Sequence, residues 1–495
     1  MKKTLLNVIP MPKEVEGASA DGSFSYVTVA ASSVSCPEFS QADFTLKELA
    51  LKLHGVTLGS SEGGISLNYE DGLSEGEYRL EIDGEGARAF ASEIHGAHNA
   101  ASTLLQLMKP EEGKGAPLGG VTLPAVTVKD KPDCDFRAVM VDLARKWHPF
   151  ETLLYYTDLC YFYKIKYLHL HFMDTQSYTL PSEVYPKLPT EERHYTREQI
   201  AYLNEYAALR GVEIIPEIEI PGHSASMVNA YPELFANLEE GEESTDDYSL
   251  FNNNIKNNII CIGREGVMDS LRALISEVME MFPTSRYFHI GGDEAAIGNW
   301  GGCKRCKRYM KERNIDGVRS LYTHVVKEVT DMVLSLGRTP IVWEGFPKDG
   351  TEEISRDVIV TAWESYYHLA PDLIEEGFKI INASWQPLYI VPWARWGKPW
   401  VAEDIMYWNI YNWQNWNKKS PAHLNPINIQ PTDAVLGGEL CVWECTYAQE
   451  IGEAREKLAA LSERTWNIRR YLEDGEFRAK LDSLLPLARV LSPDE

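Results

Sequence analysis

The sequence predicts an α/β protein in which a closed (β/α)8 TIM barrel follows a smaller α+β domain. Three observations carry that expectation. Beyond residue 135, short apolar stretches alternate with longer amphipathic ones, eight times over about 340 residues. Polar residues gather just past the carboxyl ends of those stretches, where barrels of this kind place reactive groups. Before residue 130 the alternation is absent, and short two-residue-period strands accompany single helices.

The predicted domains are 1–130 and 131–495, parted by the Asp-Lys-Pro-Asp of Lys129–Asp133. In the first, Glu77-Tyr-Arg-Leu-Glu-Ile82 alternates Tyr78, Leu80 and Ile82 onto one strand face. Ser92–Met108 spaces Ile94, Ala97, Ala101, Leu104, Leu105 and Met108 as a helix face, and Lys109–Pro117 reads as loop. In the second, strands are expected at Phe136–Leu143, Tyr167–Phe172, Val212–Glu217, Phe288–Gly291, Pro340–Trp343, Val358–Trp363, Lys379–Ala383 and Ala434–Val442. Helices are expected at Arg197–Leu209, Glu265–Met281, Ser320–Leu336 and Ala454–Leu472. An open doubly wound sheet would want a Gly-rich phosphate turn after its first strand, and none is present.

Composition narrows the function. A chain of 495 residues with 44% hydrophobic and 24% charged residues is ordinary globular protein, long enough for more than one core. A net charge of −25 disfavours nucleic acid and anionic membranes as partners, and no apolar run is long enough to span a bilayer. The 13 Trp and 25 Tyr suit sugar faces, although any single aromatic reads first as core. The first residues lack the unbroken apolar stretch of a secretion signal, and the eight scattered cysteines read as reduced thiols. Both point to the cytoplasm. Cys303-Lys-Arg-Cys306 has zinc-like spacing, but no second such pair lies near it in sequence. It therefore reads as a loop and helix start.

Phe288-His-Ile-Gly-Gly-Asp-Glu294 is the sharpest segment. An apolar strand ends in two glycines, then two adjacent carboxylates. Carboxylates forced together cannot share one titration behaviour, so one can stay ionised while its neighbour keeps a proton for general acid chemistry. A helix cap and a divalent metal site, with His289, are the alternatives the segment alone leaves open.

His289-Ile-Gly-Gly-Asp-Glu294 resembles the active-site motif of family 20 glycoside hydrolases, the β-N-acetylhexosaminidases. The resemblance is supported by Arg137–Arg145, His169-Leu-His-Phe-Met-Asp174, Ile215–His223, Trp343-Glu344, Thr361-Ala-Trp363, Val442-Trp-Glu444 and Ala460–Trp466. It implies Glu294 as the general acid and Asp293 as the carboxylate that orients the substrate's acetamido group. That group is the expected nucleophile, and configuration is retained through an oxazolinium intermediate. It implies Tyr389 as donor to the acetamido oxygen, with His223 and Asp174 linked to the acid. For binding it implies Arg145, Trp343, Trp363, Trp443 and Glu444. No cofactor or metal is implied. The expected partner is a glycan ending in N-acetylhexosamine, and the choice between monomer and homodimer is left open.

Three departures from the family pattern stand out. Tyr389-Ile-Val391 replaces the common Tyr-x-Asp, so no sugar contact is expected at Val391. Glu219 stands where Asp is usual, and Ser177-Tyr178 replaces a common Gly-Trp. Loss of an acid near the outer hydroxyls implies that both gluco- and galacto-configured substrates are accepted. An endo-acting relative resembling lacto-N-biosidases, a non-catalytic sugar-binding barrel and a metal-dependent hydrolase using His171, Asp174 and His289 are the competing readings.

Overall fold

The computed structural model describes residues 6–17, 19, 23–60, 64–110, 120–245, 258–392, 399–469 and 472–494. Eight parallel strands close on themselves. They are β1 (Phe136–Asp142), β2 (Tyr167–His171), β3 (Glu213–Glu217), β4 (Tyr287–His289), β5 (Thr339–Trp343), β6 (Ile359–Ala362), β7 (Lys379–Asn382) and β8 (Val435–Val442). Each pairs with the next, and β8 returns to β1 with Val139 opposite Leu440. All eight expected strands are present, and with them the barrel.

The barrel interior is layered. Phe136, Ala138, Tyr167, Ile215, Ile341, Ile359 and Ile381 fill the amino-terminal end. Above them inward positions turn polar, with His169, Glu217, His289 and Glu439 all buried. Period-two alternation produces this stacking, so Tyr167, His169 and His171 follow one another up β2. At the carboxyl end Met140, Trp343, Trp363, Trp385 and Tyr389 form a separate aromatic cluster.

Preceding the barrel, a six-stranded sheet runs in the order Glu14–Glu16, Val126–Asp130, Tyr78–Asp83, Gly86–Ala91, Ile65–Tyr69 and Ser32–Val34. Tyr78, Leu80 and Ile82 are buried on one face, as their alternation predicts. The helix Ile94–Leu107 starts where Glu93 accepts from the amides of His95 and Gly96. Lys109 and Pro110, expected in a loop, pair with Thr122 and Val121 instead, and 111–117 lie outside the described residues. Sheet and barrel are tied by buried polar bonds: Asp130 accepts from Tyr78 Oη at 2.7 Å and from Trp466 Nε1 at 2.8 Å.

Arg197–Leu209 is helical over the expected span, opened by a Thr196–Gln199 capping box. The helix expected from Ala454 begins at Tyr447, because Thr446 and Gln449 form another such box, and it ends at Trp466 rather than Leu472. The helix expected from Glu265 starts at Val267, after Gly266 in the left-handed region. The one expected from Ser320 covers Gly317–Ser335.

Candidate active site

A cavity of about 470 Å3 opens at the carboxyl end of the barrel. That volume suits a small ligand. All ten residues singled out from the sequence line it: Arg145, Asp174, His223, Asp293, Glu294, Trp343, Trp363, Tyr389, Trp443 and Glu444. Strand ends deliver most of them, and Tyr389 comes from a two-residue strand, Tyr389–Ile390, laid parallel beside β8.

The turn after β4 aims the two acids. Gly291 and Gly292 have φ of +66° and +99°, a region closed to most side chains. A Cβ on Gly291 would run into the Glu219 carboxylate, and one on Gly292 would sit 2.6 Å from Val342 Cγ2. Glu294 follows with φ +42°, and His223 and Glu444 also have positive φ, at +47° and +59°. Three non-glycine residues of one cavity thus hold a backbone shape that costs of order 1–3 kcal/mol each and survives where surrounding structure enforces it.

A relay of charges stands behind Glu294. Its Oε2 lies 3.4 Å from His223 Nε2, whose Nδ1 lies 3.3 Å from Asp174 Oδ1. Asp174 Oδ2 meets Arg145 Nη2 at 2.8 Å and His171 Nε2 at 3.2 Å. Burial favours a neutral Asp174, but Arg145 and His223 outweigh it and hold the carboxyl well below the usual range. Burial likewise opposes a charged His223, and the Asp174 carboxylate reverses that, raising the imidazole well above its ordinary value. Asp293 moves the other way. Burial, reinforced by the Glu294 charge, pushes it up to about 6, despite the counter-pull of His223. Its Oδ1 is buried with no hydrogen-bond partner among the described residues, and a ligand donor would satisfy it.

Aromatic rings make the walls. Trp343 stands near-perpendicular to Trp363, and Trp363 and Trp385 both lie nearly parallel to Tyr389. Arg145 sits 4.6 Å over Trp443, which orients a guanidinium already paired with Asp174. Trp343 Nε1 donates to Glu217 Oε1 at 2.5 Å, so the polar barrel layer fixes one wall.

Sequence reasoning missed Thr175, Gln176, Asn258, Trp385 and Trp416 among the lining residues. Trp385 stands three residues past the end of β7, a strand-tip position the sequence reading passed over, and Trp416 lies further along the excursion between β7 and β8. Val391, where no sugar contact is expected, lines the cavity as an apolar residue. Glu219 stays behind the floor, accepting from Gly292 N at 3.1 Å. Glu344, which follows Trp343 at the end of β5, is not a lining group. Its buried carboxylate accepts from the amides of Ser365, Tyr366, Tyr367 and His368 and ties down the loop after β6. Ser177 and Tyr178 also sit outside the lining.

His171, Asp174 and His289 do not converge. His289 Nδ1 lies 2.9 Å from Glu217 Oε1, one layer below Asp174. His223, Asp293 and Glu294 could supply three ligand atoms to a cation, yet both nitrogens of His223 already face carboxylates.

Residues 134–469 match the model of the glycosyl hydrolase family 20 catalytic domain, and residues 5–131 match that family's domain 2. The chain belongs to glycosyl hydrolase family 20. Similar proteins include a beta-hexosaminidase of Vibrio furnissii, 28% identical over 409 residues, covering 78% of this chain and 64% of that one. A beta-hexosaminidase of Porphyromonas gingivalis is 28% identical over 72% of this chain and 47% of its own. The chain thus spans less than two thirds of either. Beta-hexosaminidase subunit A1 of Dictyostelium discoideum is 26% identical over 93% of this chain and 84% of that one. The fold is shared with a family 20 exo β-N-acetylglucosaminidase from Vibrio harveyi, solved with N-acetylglucosamine, at a TM-score of 0.82 and 22% identity. That match covers 99% of this chain and 78% of the other.

Proposed function

We propose that this family 20 chain is an exo-acting β-N-acetylhexosaminidase. It removes terminal N-acetylglucosamine or N-acetylgalactosamine with retained configuration. The observation that carries the reading is the division of labour between neighbouring acids. Glu294 faces the His223–Asp174 relay, while Asp293 lines the same cavity and keeps a buried oxygen with no hydrogen-bond partner among the described residues.

Glu294 protonates the leaving glycosidic oxygen. As its carboxylate forms, the positive His223 at 3.4 Å stabilises the new charge, and Asp174 keeps His223 positive. Asp293 accepts the acetamido N–H, and Tyr389 donates its hydroxyl to the acetamido oxygen. Together they turn that oxygen toward the anomeric carbon. Its attack expels the aglycone and closes an oxazolinium ring, whose positive nitrogen is balanced by ionised Asp293. Glu294 then takes a proton from water, which opens the ring on the same face. An intramolecular nucleophile avoids the entropy of assembling two partners. Arg145 and Glu444, which line the cavity, meet the ring hydroxyls in this reading, and the tryptophans pack the sugar's faces.

Hydrolysis of aryl β-GlcNAc and β-GalNAc, followed by proton NMR, tests the proposal. The first-formed sugar should be the β anomer, and a thiazoline mimic of the cyclic intermediate should inhibit. An aryl glucoside without the 2-acetamido group, cleaved at a comparable rate, would refute substrate assistance. With Val391 in place of an acid, the two epimers should differ in rate by well under about a thousandfold, the range reserved for obligatory hydrogen bonds. Cleavage of an aryl lacto-N-bioside in preference to either monosaccharide would favour the endo-acting alternative.

A further inference from the structure

Three cysteines from two different loops meet beneath the active-site rim. Cys261 lies on the return of the long loop after β3, and Cys303 and Cys306 lie at the start of the helix Lys304–Arg313. All three are fully buried. Cys261 Sγ lies 3.7 Å from Cys303 Sγ and 3.7 Å from Cys306 Sγ. Four sulfurs around a tetrahedral zinc at about 2.3 Å would be spaced about 3.8 Å apart, whereas a disulfide brings two sulfurs to about 2.05 Å.

The backbone is shaped for this meeting. Gly263 packs its Cα against the Arg305–Cys306 peptide so closely that a Cβ would clash with Arg305 C and lie 2.7 Å from Cys306 N. Cys303 occupies the cap position, leaving the first turn to carry Cys306 back toward it. The helix residue between the two later cysteines, Arg305, bonds its guanidinium to Glu239 and to the carbonyls of Ala236 and Asn237.

We propose that Cys261, Cys303 and Cys306 bind a structural zinc ion, with a solvent oxygen as fourth ligand. Binding releases three thiol protons and involves no change of oxidation state. The ion would fasten together the two loops that deliver the proposed acid relay. Just before Cys261, Ile260 N donates to Pro221 O at 3.1 Å and Gly222 bridges Ile259, adjoining His223. Just before Cys303, the turn Gly298–Gly302 continues from Asp293 and Glu294, and Trp300 Nε1 donates to Ile260 O at 2.8 Å. The site takes no part in the reaction itself and stands whether or not the hexosaminidase reading does.

Elemental analysis by plasma mass spectrometry decides it. The full chain, expressed with zinc in the medium, stripped of its affinity tag and desalted, should carry about one zinc per molecule. Cys261→Ser and Cys303→Ser should each lower this at least about tenfold, while Cys36→Ser, a half-exposed cysteine remote from the cluster, should keep it. Wild-type protein with less than about 0.1 zinc per chain, an intact mass two daltons low, or equal zinc in the cluster variants would overturn the proposal.

Discussion

Replacing Asp174 by Asn tests the relay most directly, because it removes one charge and almost no volume. The carboxylate faces three cationic or protonatable groups: Arg145 at 2.8 Å, His171 at 3.2 Å and His223 at 3.3 Å. At an effective dielectric of about 20, a unit charge 3.3 Å away is worth roughly 5 kcal/mol to the imidazolium. The amide dipole of Asn and rearrangement of its neighbours restore much of that. A net loss of about 1.5–3 kcal/mol is the working figure, since 1.36 kcal/mol corresponds to one pH unit. His223 is held above its ordinary value, so losing the anion lets it shed its proton at lower pH. The alkaline limb of the kcat/KM profile should therefore move down by about one to two pH units. At neutral pH kcat should fall about 10- to 100-fold, because the carboxylate formed on Glu294 no longer meets a cation. Initial rates on an aryl β-GlcNAc from pH 4 to 10 give both numbers. An alkaline limb superimposable on that of the wild type would refute the relay, whatever happened to kcat.

Asp293 is pushed up to about 6, and in the proposed mechanism its ionised form balances the oxazolinium charge. Activity should thus fall as pH drops through about 6, and Asp293→Asn should lower kcat at every pH and abolish that limb, read from the same profiles. Glu294→Gln should cost about 10²- to 10⁴-fold on substrates with poor leaving groups, and much less on activated aryl glycosides, which need little protonation. Gly291→Ala should leave a folded barrel by circular dichroism yet lose at least about tenfold in kcat, since a left-handed position facing Glu219 has no room for a methyl. Glu344→Ala should orphan four backbone amides, destabilise the protein by about 2–4 kcal/mol in urea unfolding and raise KM through the loop bearing Trp363.

The barrel was legible because its strands are short apolar runs of regular spacing, and the site because polar residues cluster at strand tips in motifs that resemble those of a known family. Asp293, Glu294, His223 and Arg145 all follow that rule. Trp385 obeys it too, three residues past β7, and was passed over because a lone tryptophan reads first as core, whereas Trp416 and Asn258 approach the cavity from long excursions whose paths no local periodicity encodes. Glu344 obeys the rule and still points away, because its neighbours after β6 present four amides that needed an acceptor. The cysteine cluster was half visible. Cys303 and Cys306 carry the spacing, but their partner stands 42 residues earlier, and only folding brings it there. Helix starts failed for a related reason: a Thr446–Gln449 box moved one seven residues ahead of where its apolar stripe becomes regular.

The left-handed turns at His223, Glu294 and Glu444 set a direction for how this protein can be improved. Glycine or asparagine fits such a backbone with less strain than the residues now there, so each position holds latent stability that only its chemistry forbids releasing. A screen that rewards heat resistance alone will therefore drift first toward the reaction centre and return hardier proteins that no longer turn over. Selection for robustness has to couple survival to product formation, or hold these three codons fixed.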